Sequence, residues 1–384
     1  MARRSTLALA CTAALACTDP TSETGDEATD GPFDPTFAGS SEDGSGTSED
    51  TDTTEASETG DDCHPVVPPP PRPDGRSEPF AFGGQSGWSH DAGSPAGWFH
   101  TYDAIELGAG FGPDGTPVSA PHKVHLLLPR DYDRCASYPV VVMNDGSSSF
   151  WNGGSADKSW DVPGALSSLY AEGSLEPVIV VAVEPNDRDY EYSHTPWTDP
   201  DTLEPGDCCG VEDYADYLAE GLGAWLDEHY AVATDPEDWA IVGSSRGGLG
   251  ACAVANLRPD RFGRAACMSP SFWLGLDPVF GGDFDGGPLA DSLLIDTLSP
   301  SLSDPSVRPH LWIDWGLIRT GGFHNEVIEE AATARGIEMV GLLEDEFGYV
   351  LDEELHWLED PEGEHDEVSW GLRFPLVMQA LLGS

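Results

Sequence analysis

The stretch EDWAIVGSSRGGLGAC, residues 237–252, decides how the rest of the chain is read. A short apolar run, Trp239 to Val242, meets Gly243-Ser244-Ser245-Arg246-Gly247, and a helix-like segment follows. In a strand–turn–helix carrying G-x-S-x-G, the serine occupies the tip of a strained turn, and the glycines let neighbouring backbone pass closely. Such a turn would expose Ser245 Oγ. The next backbone N–H, from Arg246, would face the place where negative charge develops on an attacked carbonyl oxygen. Five residues of this type also occur in plain Gly/Ser turns, so the weight comes from the strand before and the helix after.

Outward from this turn the pattern alternates. His122 to Leu128, Tyr138 to Met143, Pro177 to Glu184, Ala265 to Met268, His310 to Trp315 and Glu354 to Leu358 read as strands. Between them, 165–171, 212–230, the segment after Ser245 up to about Leu257, and 369–382 read as helices. The region after Trp315 reads as a helix interrupted at Gly336. PVIVVAVE at 177–184 is the continuous apolar run expected of a parallel strand buried on both faces. Strands alternating with helices predict a mainly parallel central sheet with helices on both faces, with ligands bound at the carboxyl ends of the strands. Residues 76–118 are irregular, with Trp98 to Leu107 as their best strand. No G-x-G-x-x-G follows a strand and no GxxxxGK[ST] occurs, so nucleotide cofactors have no support.

Composition divides the chain. MARRSTLALACTAALAC at 1–17 reads as an export signal of the lipoprotein type, with Cys17 the expected lipidated residue. Residues 18–62 hold 15 Asp or Glu and no Lys or Arg, and are rich in Thr, Ser and Gly. Such a segment buries too little apolar surface to offset its chain entropy. It reads as a disordered tether running to residue 75 through Pro68 to Pro71, with one domain over 76–384. The whole chain carries a formal charge of −52, most of it in the domain. That argues against nucleic acid and against membrane contact other than through a lipid anchor. The acids are dispersed and form no calcium loop, so no metal site is expected. Six cysteines remain beyond the signal. In an exported chain the six allow 15 disulfide pairings among Cys63, Cys135, Cys208, Cys209, Cys252 and Cys267, with at least one of the adjacent Cys208 and Cys209 expected to join Cys63 or Cys135. Cys252 and Cys267 read as buried thiols.

A serine nucleophile needs a base, and the base an orienting partner. Four histidines follow Ser245. His310 and His356 lie in strands, and His324 opens a helix. His365 lies in a polar loop, DPEGEH, between the last strand and the last helix, where it can reach the turn at Ser245.

Several segments, taken in order, resemble the putative esterase family of α/β-hydrolases, which includes enterochelin-esterase-like and feruloyl-esterase-like members. They are PVVVMNDG at 139–146 with Phe150, RDYEY at 188–192, GSSRGGL at 243–249, RPDRFG at 258–263, SPSFW at 269–273, and GEHDE at 363–367 with Trp370. The resemblance covers about 120–383 and implies an α/β-hydrolase fold that needs no cofactor. It implies Ser245 as nucleophile, His365 as general base, and the backbone N–H groups of Arg246 and Gly146 as oxyanion donors. Arg246 stands where the family usually has a bulky apolar residue, which suggests an anionic substrate. The acid is the departure. Counted without a gap from the strand DWG at 314–316, its position falls on Arg319. A displaced carboxylate such as Glu326, a Ser–His dyad, or an impaired site are the alternatives. The expectation is a serine esterase acting through an acyl-enzyme on a small-molecule or carbohydrate-linked ester. The other readings are a catalytically impaired binding lipoprotein and an acyltransferase.

Overall fold

The computed structural model describes residues 63–383 apart from 70–72, 74, 106, 108–120, 155, 199–205 and 278–285. The signal, Cys17 and the tether up to residue 62 therefore lie outside the described residues. The strands are β1 (Ser77–Phe82), β2 (Gln85–His90), β3 (Gly97–Ile105), β4 (His122–Pro129), β5 (Val140–Met143), β6 (Ile179–Glu184), β7 (Trp239–Ser244), β8 (Arg264–Met268), β9 (His310–Gly316) and β10 (Leu355–Asp360). The helices are α1 (Val162–Glu172), α2 (Arg188–Glu191), α3 (Val211–Asp216), α4 (Ala224–His229), α5 (Arg246–Leu257), α6 (Leu293–Leu302), α7 (Glu329–Asp345) and α8 (Glu367–Leu382). A π-helical stretch, 217–223, joins α3 to α4, so the expected helix at 212–230 is continuous.

One sheet holds all these strands in the order β1-β2-β3-β4-β6-β5-β7-β8-β9-β10. β5 to β10 run parallel, and β1 to β4 form an antiparallel extension joined through β4 and β6. The region 76–118, irregular as sequence, supplies β1 to β3. Alternate residues of the parallel strands feed two cores. Val141, Met143, Val180 and Val242 meet α1 and α8, while Val140, Val142, Val181 and Ile241 meet α3, α4, α5 and α7. The strands are apolar throughout because each side chain, whichever way it points, enters a core. This is the α/β-hydrolase arrangement.

Three expectations need correcting. First, the body starts before residue 76. His64 exchanges backbone and side-chain hydrogen bonds with Arg134 (3.1 and 2.9 Å), Cys63 is disulfide-bonded to Cys135, and Pro68 O accepts from His100 Nε2 at 3.2 Å. The Pro-rich composition suggested a spacer, but residues 63–69 are held by these cross-links. Second, Cys208 and Cys209 bond to each other and not to Cys63 or Cys135. Cys252 and Cys267 are buried free thiols. Third, Gly336 does not interrupt its helix. α7 runs through it because the missing side chain lets the helix lie against Trp315, where a Cβ would stand 2.7 Å from Cε3.

Gly336→Ala therefore sets two effects against each other. Alanine gains about 1 kcal/mol of helix propensity. The added methyl overlaps Trp315, which is 1% exposed and stacked on Trp357, so it cannot swing away. Overpacking of this kind costs about 1–3 kcal/mol, and the variant should be less stable by urea unfolding despite its better helix former. A gain in stability would refute the close contact.

Candidate active site

Ser245 is set between β7 and α5 with φ 54° and ψ −124°, a region that non-glycine residues rarely enter. Its surroundings hold it there. Ser245 N–H donates to Met268 O (2.9 Å), and Ser245 O accepts from the N–H of Ser271 (3.0 Å) and of Leu249 (3.1 Å). Gly243 makes the turn feasible, since a Cβ there would lie 2.1 Å from Gly247 O. Asn144 Nδ2 donates to the same Gly247 carbonyl at 2.8 Å, and its own Oδ1 accepts from Tyr214 OH, which ties the end of β5 to the turn. The Arg246 N–H lies in the first turn of α5, where the helix supplies no partner. Gly146 opens a 3₁₀ turn, 146–148, after Asp145, which has φ 56°. A Cβ at Gly146 would meet Ala182 and Val183 backbone at 2.8 Å, so only glycine passes there.

His365 follows β10, as the loop position suggested, and is 8% exposed. Its backbone N–H donates to Asn325 Oδ1 at 2.8 Å, and its ring packs edge-on against Trp370 at 5.0 Å. Nδ1 hydrogen-bonds Glu329 Oε2. That bond fixes the tautomer and leaves Nε2 as the nitrogen able to exchange a proton. Ser245 and His365 line one cleft of about 460 Å³, together with Ser147, Arg188 and His324. A smaller hollow of about 220 Å³ continues past Ser245 and is lined by Arg246, Trp197, Trp273 and Phe323. His324 is exposed, borders both spaces and stacks on His365 at 6.0 Å.

The carboxylate on His365 is Glu329, and Glu326 is corrected. Glu326 is exposed on the π-helical turn His324–Ile328, whereas Glu329 is fully buried at the start of α7. Glu329 Oε1 accepts from Ser269 Oγ at 2.9 Å and from the Gly316 N–H, while Oε2 takes His365. Ser269 in turn accepts from Trp370 Nε1 and Arg373, each at 3.1 Å, and Arg373 pairs with buried Asp314 at 3.0 Å. Arg319 is not in the site. Its guanidinium donates to Gly316 O, Ile318 O and Thr333 Oγ1 and closes the carbonyl end of β9. Counting from the strand without a gap failed because the acid sits one helical element later. A usable signal was present: Glu329, Ala332, Gly336, Met339 and Leu343 share the buried face of the helix, whereas Glu326 and Glu330 are exposed.

The cations around Ser245 are paired. Arg188 meets both oxygens of Asp145 (2.8 and 2.9 Å), Lys158 meets Asp366 (2.7 Å), and Arg246 pairs with Asp189. The Arg246 guanidinium also lies 3.7 Å over the Trp197 ring, so its side chain is committed. The expected preference for an anionic substrate through Arg246 loses its basis. Among the described residues no cluster of histidine, cysteine or carboxylate side chains is arranged to hold a metal ion.

Burial pushes the Glu329 carboxyl up, but the hydrogen bonds from His365, the Gly316 N–H and Ser269 outweigh it and hold the pKa below the usual value. A depressed carboxylate pKa adds stability that is present above the unfolded value and lost as pH falls through the folded one. The stability gap between the native chain and Glu329→Gln should therefore be largest near neutral pH and shrink as pH drops below ~4. Urea midpoints across that range read it, and a gap that widened in acid would contradict the charged assignment. At Asp314 burial outweighs Arg373 and raises the pKa, so that carboxyl does not add to the effect.

Residues 118–313 match the family described as Putative esterase, a span that includes Gly146 and Ser245 and ends before Glu329 and His365. The protein YbbA of Bacillus subtilis (strain 168), itself uncharacterized, is 27% identical over 152 residues. The match takes in 38% of this chain and 56% of YbbA, so the chain spans about half the length of that relative. Among solved structures, the BES protein from Bacillus cereus is similar over 74% of this chain and 97% of its own, with 15% identity and a TM-score of 0.51. The enterobactin esterase FES from Shigella flexneri is similar over 83% of this chain and 61% of its own, with 17% identity and a TM-score of 0.49. With just over half of its length matched, the chain belongs to the putative esterase family.

Proposed function

We propose that this protein is a serine-dependent carboxylic ester hydrolase that works through an acyl-enzyme. The observation that carries the proposal is the buried Glu329–His365 pair bordering the same cleft as a serine held in a strained turn. Ser245 Oγ attacks the ester carbonyl carbon and His365 Nε2 takes the hydroxyl proton. Glu329 stabilises the imidazolium that results. The carbonyl oxygen, now negative, accepts from the N–H groups of Arg246 and Gly146. Collapse breaks the C–O bond, and His365 returns the proton to the departing alcohol. Water then repeats the sequence on the acyl-enzyme, with His365 again as base, and releases the acid.

The family membership supports ester chemistry, and the residues supply a complete nucleophile, base and acid. The impaired-scaffold alternative was motivated by Arg319, which is engaged elsewhere with backbone carbonyls and Thr333. The export signal and Cys17 at 1–17, followed by an acidic tether, support a lipid-anchored, extracellular position for the enzyme.

Fluorophosphonate labelling and p-nitrophenyl acetate hydrolysis test the reading. The native chain should label and turn over, and Ser245→Ala should do neither. Glu329→Gln should lose up to ~10⁴-fold in kcat, as expected when the carboxylate orienting a catalytic histidine is removed. Glu326→Gln, changed only at the surface, should stay within about twofold of the native chain. Undiminished hydrolysis by Ser245→Ala would end the proposal.

A further inference from the structure

Beside the Ser245 cleft, one face of the antiparallel strands is open. On that face Thr101 of β3 pairs with His125 of β4 and Trp88 of β2, and Phe99 pairs with His90, while Asp103 and Lys123 border the same hollow where the β3–β4 register shifts. Trp151 stands over it, edge-on to His125 (ring centroids 4.8 Å) and to Phe99 (5.7 Å). The space enclosed is about 540 Å³, with the two tryptophans among its walls. Trp88 and Trp151 are 40% and 39% exposed. Two large aromatic side chains bordering one hollow differ from the single apolar residues scattered over any surface, and such paired exposure marks binding grooves.

The polar groups here are fixed in place. Trp88 Nε1–H donates to Asp103 at 2.6 Å, so this indole has its ring face, not its N–H, to offer a ligand. His125 bonds Thr101 Oγ1 through Nδ1 and Glu184 through Nε2, both at 2.9 Å. Lys123 Nζ lies 3.2 Å from Glu184, so its charge is balanced, and Asp103 disfavours an anionic ligand. Flat apolar faces ringed by paired donors and acceptors suit a neutral ligand with an apolar face and a hydroxylated edge, the pattern of a pyranose ring. The hollow neighbours the Ser245 cleft. Glu184 lines the cleft, and its carboxylate takes His125 and Lys123, which line the hollow, while Trp151 of the hollow follows closely along the chain from the cleft's Ser147–Ser148 turn.

We infer that this face binds sugar rings in the alcohol part of a carbohydrate-linked ester, a subsite that rests on the serine-hydrolase reading of the adjoining cleft. The chain carrying the ester at Ser245 passes Glu184 and lays its next rings on Trp151 and Trp88.

The test uses the full chain. Ser245→Ala, which cannot turn over, is titrated with xylotetraose and with cellotetraose while tryptophan fluorescence is read. Saturable binding of at least one sugar is expected. It should weaken about tenfold in Ser245→Ala/Trp88→Ala and be partly kept by Trp88→Phe, which retains an aromatic face. In the active chain, Trp88→Ala should lower kcat/KM for acetylated xylotetraose about tenfold and leave p-nitrophenyl acetate within about twofold. No saturable response to either sugar, or binding indifferent to Trp88→Ala, would overturn the inference. Absence of p-nitrophenyl acetate hydrolysis in the native chain would instead strike the hydrolase reading, and the sugar titration distinguishes the two failures.

Discussion

A carboxylate buried away from the surface must be satisfied by the groups around it, and Glu329 is that carboxylate. One oxygen takes Ser269 Oγ and the Gly316 N–H, and the other takes His365 Nδ1. These donors come from the ends of β8 and β9 and from the loop after β10, so one charge ties three adjacent strand ends together. The arrangement extends outward through Ser269 to Trp370 and Arg373 of α8, and from Arg373 to Asp314 of β9. Removing a single member would leave another buried polar group unpartnered, which is why the network fixes geometry so strictly.

The serine turn is the complementary constraint. Its strained backbone persists because β7 is buried between two neighbours and α5 is packed against the sheet beneath. Gly243 admits the close passage of the Gly247 backbone, Gly247 leaves room for the Asp145 side chain, and Asn144 couples the turn to the end of β5, just before Gly146. Placement of the nucleophile therefore depends on the central sheet, and placement of the base on its β8–β10 side. The cleft lies where the carboxyl ends of these strands meet, as expected for an open parallel sheet.

Much of this was legible in the sequence. The apolar runs that became β4 to β10 are short, most of them rich in Val, Leu and Ile, and largely separated by helical periods, so pattern and structure agree. Ser245 stood out through its strand–turn–helix context, and His365 through its position after the last strand. Glu329 was not legible by counting, because the chain makes a turn and a π-helical step between Gly316 and α7, which no fixed offset anticipates. It was legible in principle as an acid in register with an apolar helix face. β3 was legible as the strand Trp98 to Leu107, whereas β1 and β2 were obscured because little of their surface is buried. The Cys208–Cys209 link could not be read from spacing, since adjacent cysteines ordinarily point apart.

Glu329, and not a neighbouring acid, holds His365 in one tautomer. Proton NMR of the imidazole N–H reads this directly. A strongly deshielded His365 Nδ1–H resonance should be present in the native chain and in Glu326→Gln, and absent from Glu329→Gln and His365→Asn. Its survival in Glu329→Gln, or its loss in Glu326→Gln, would contradict the account.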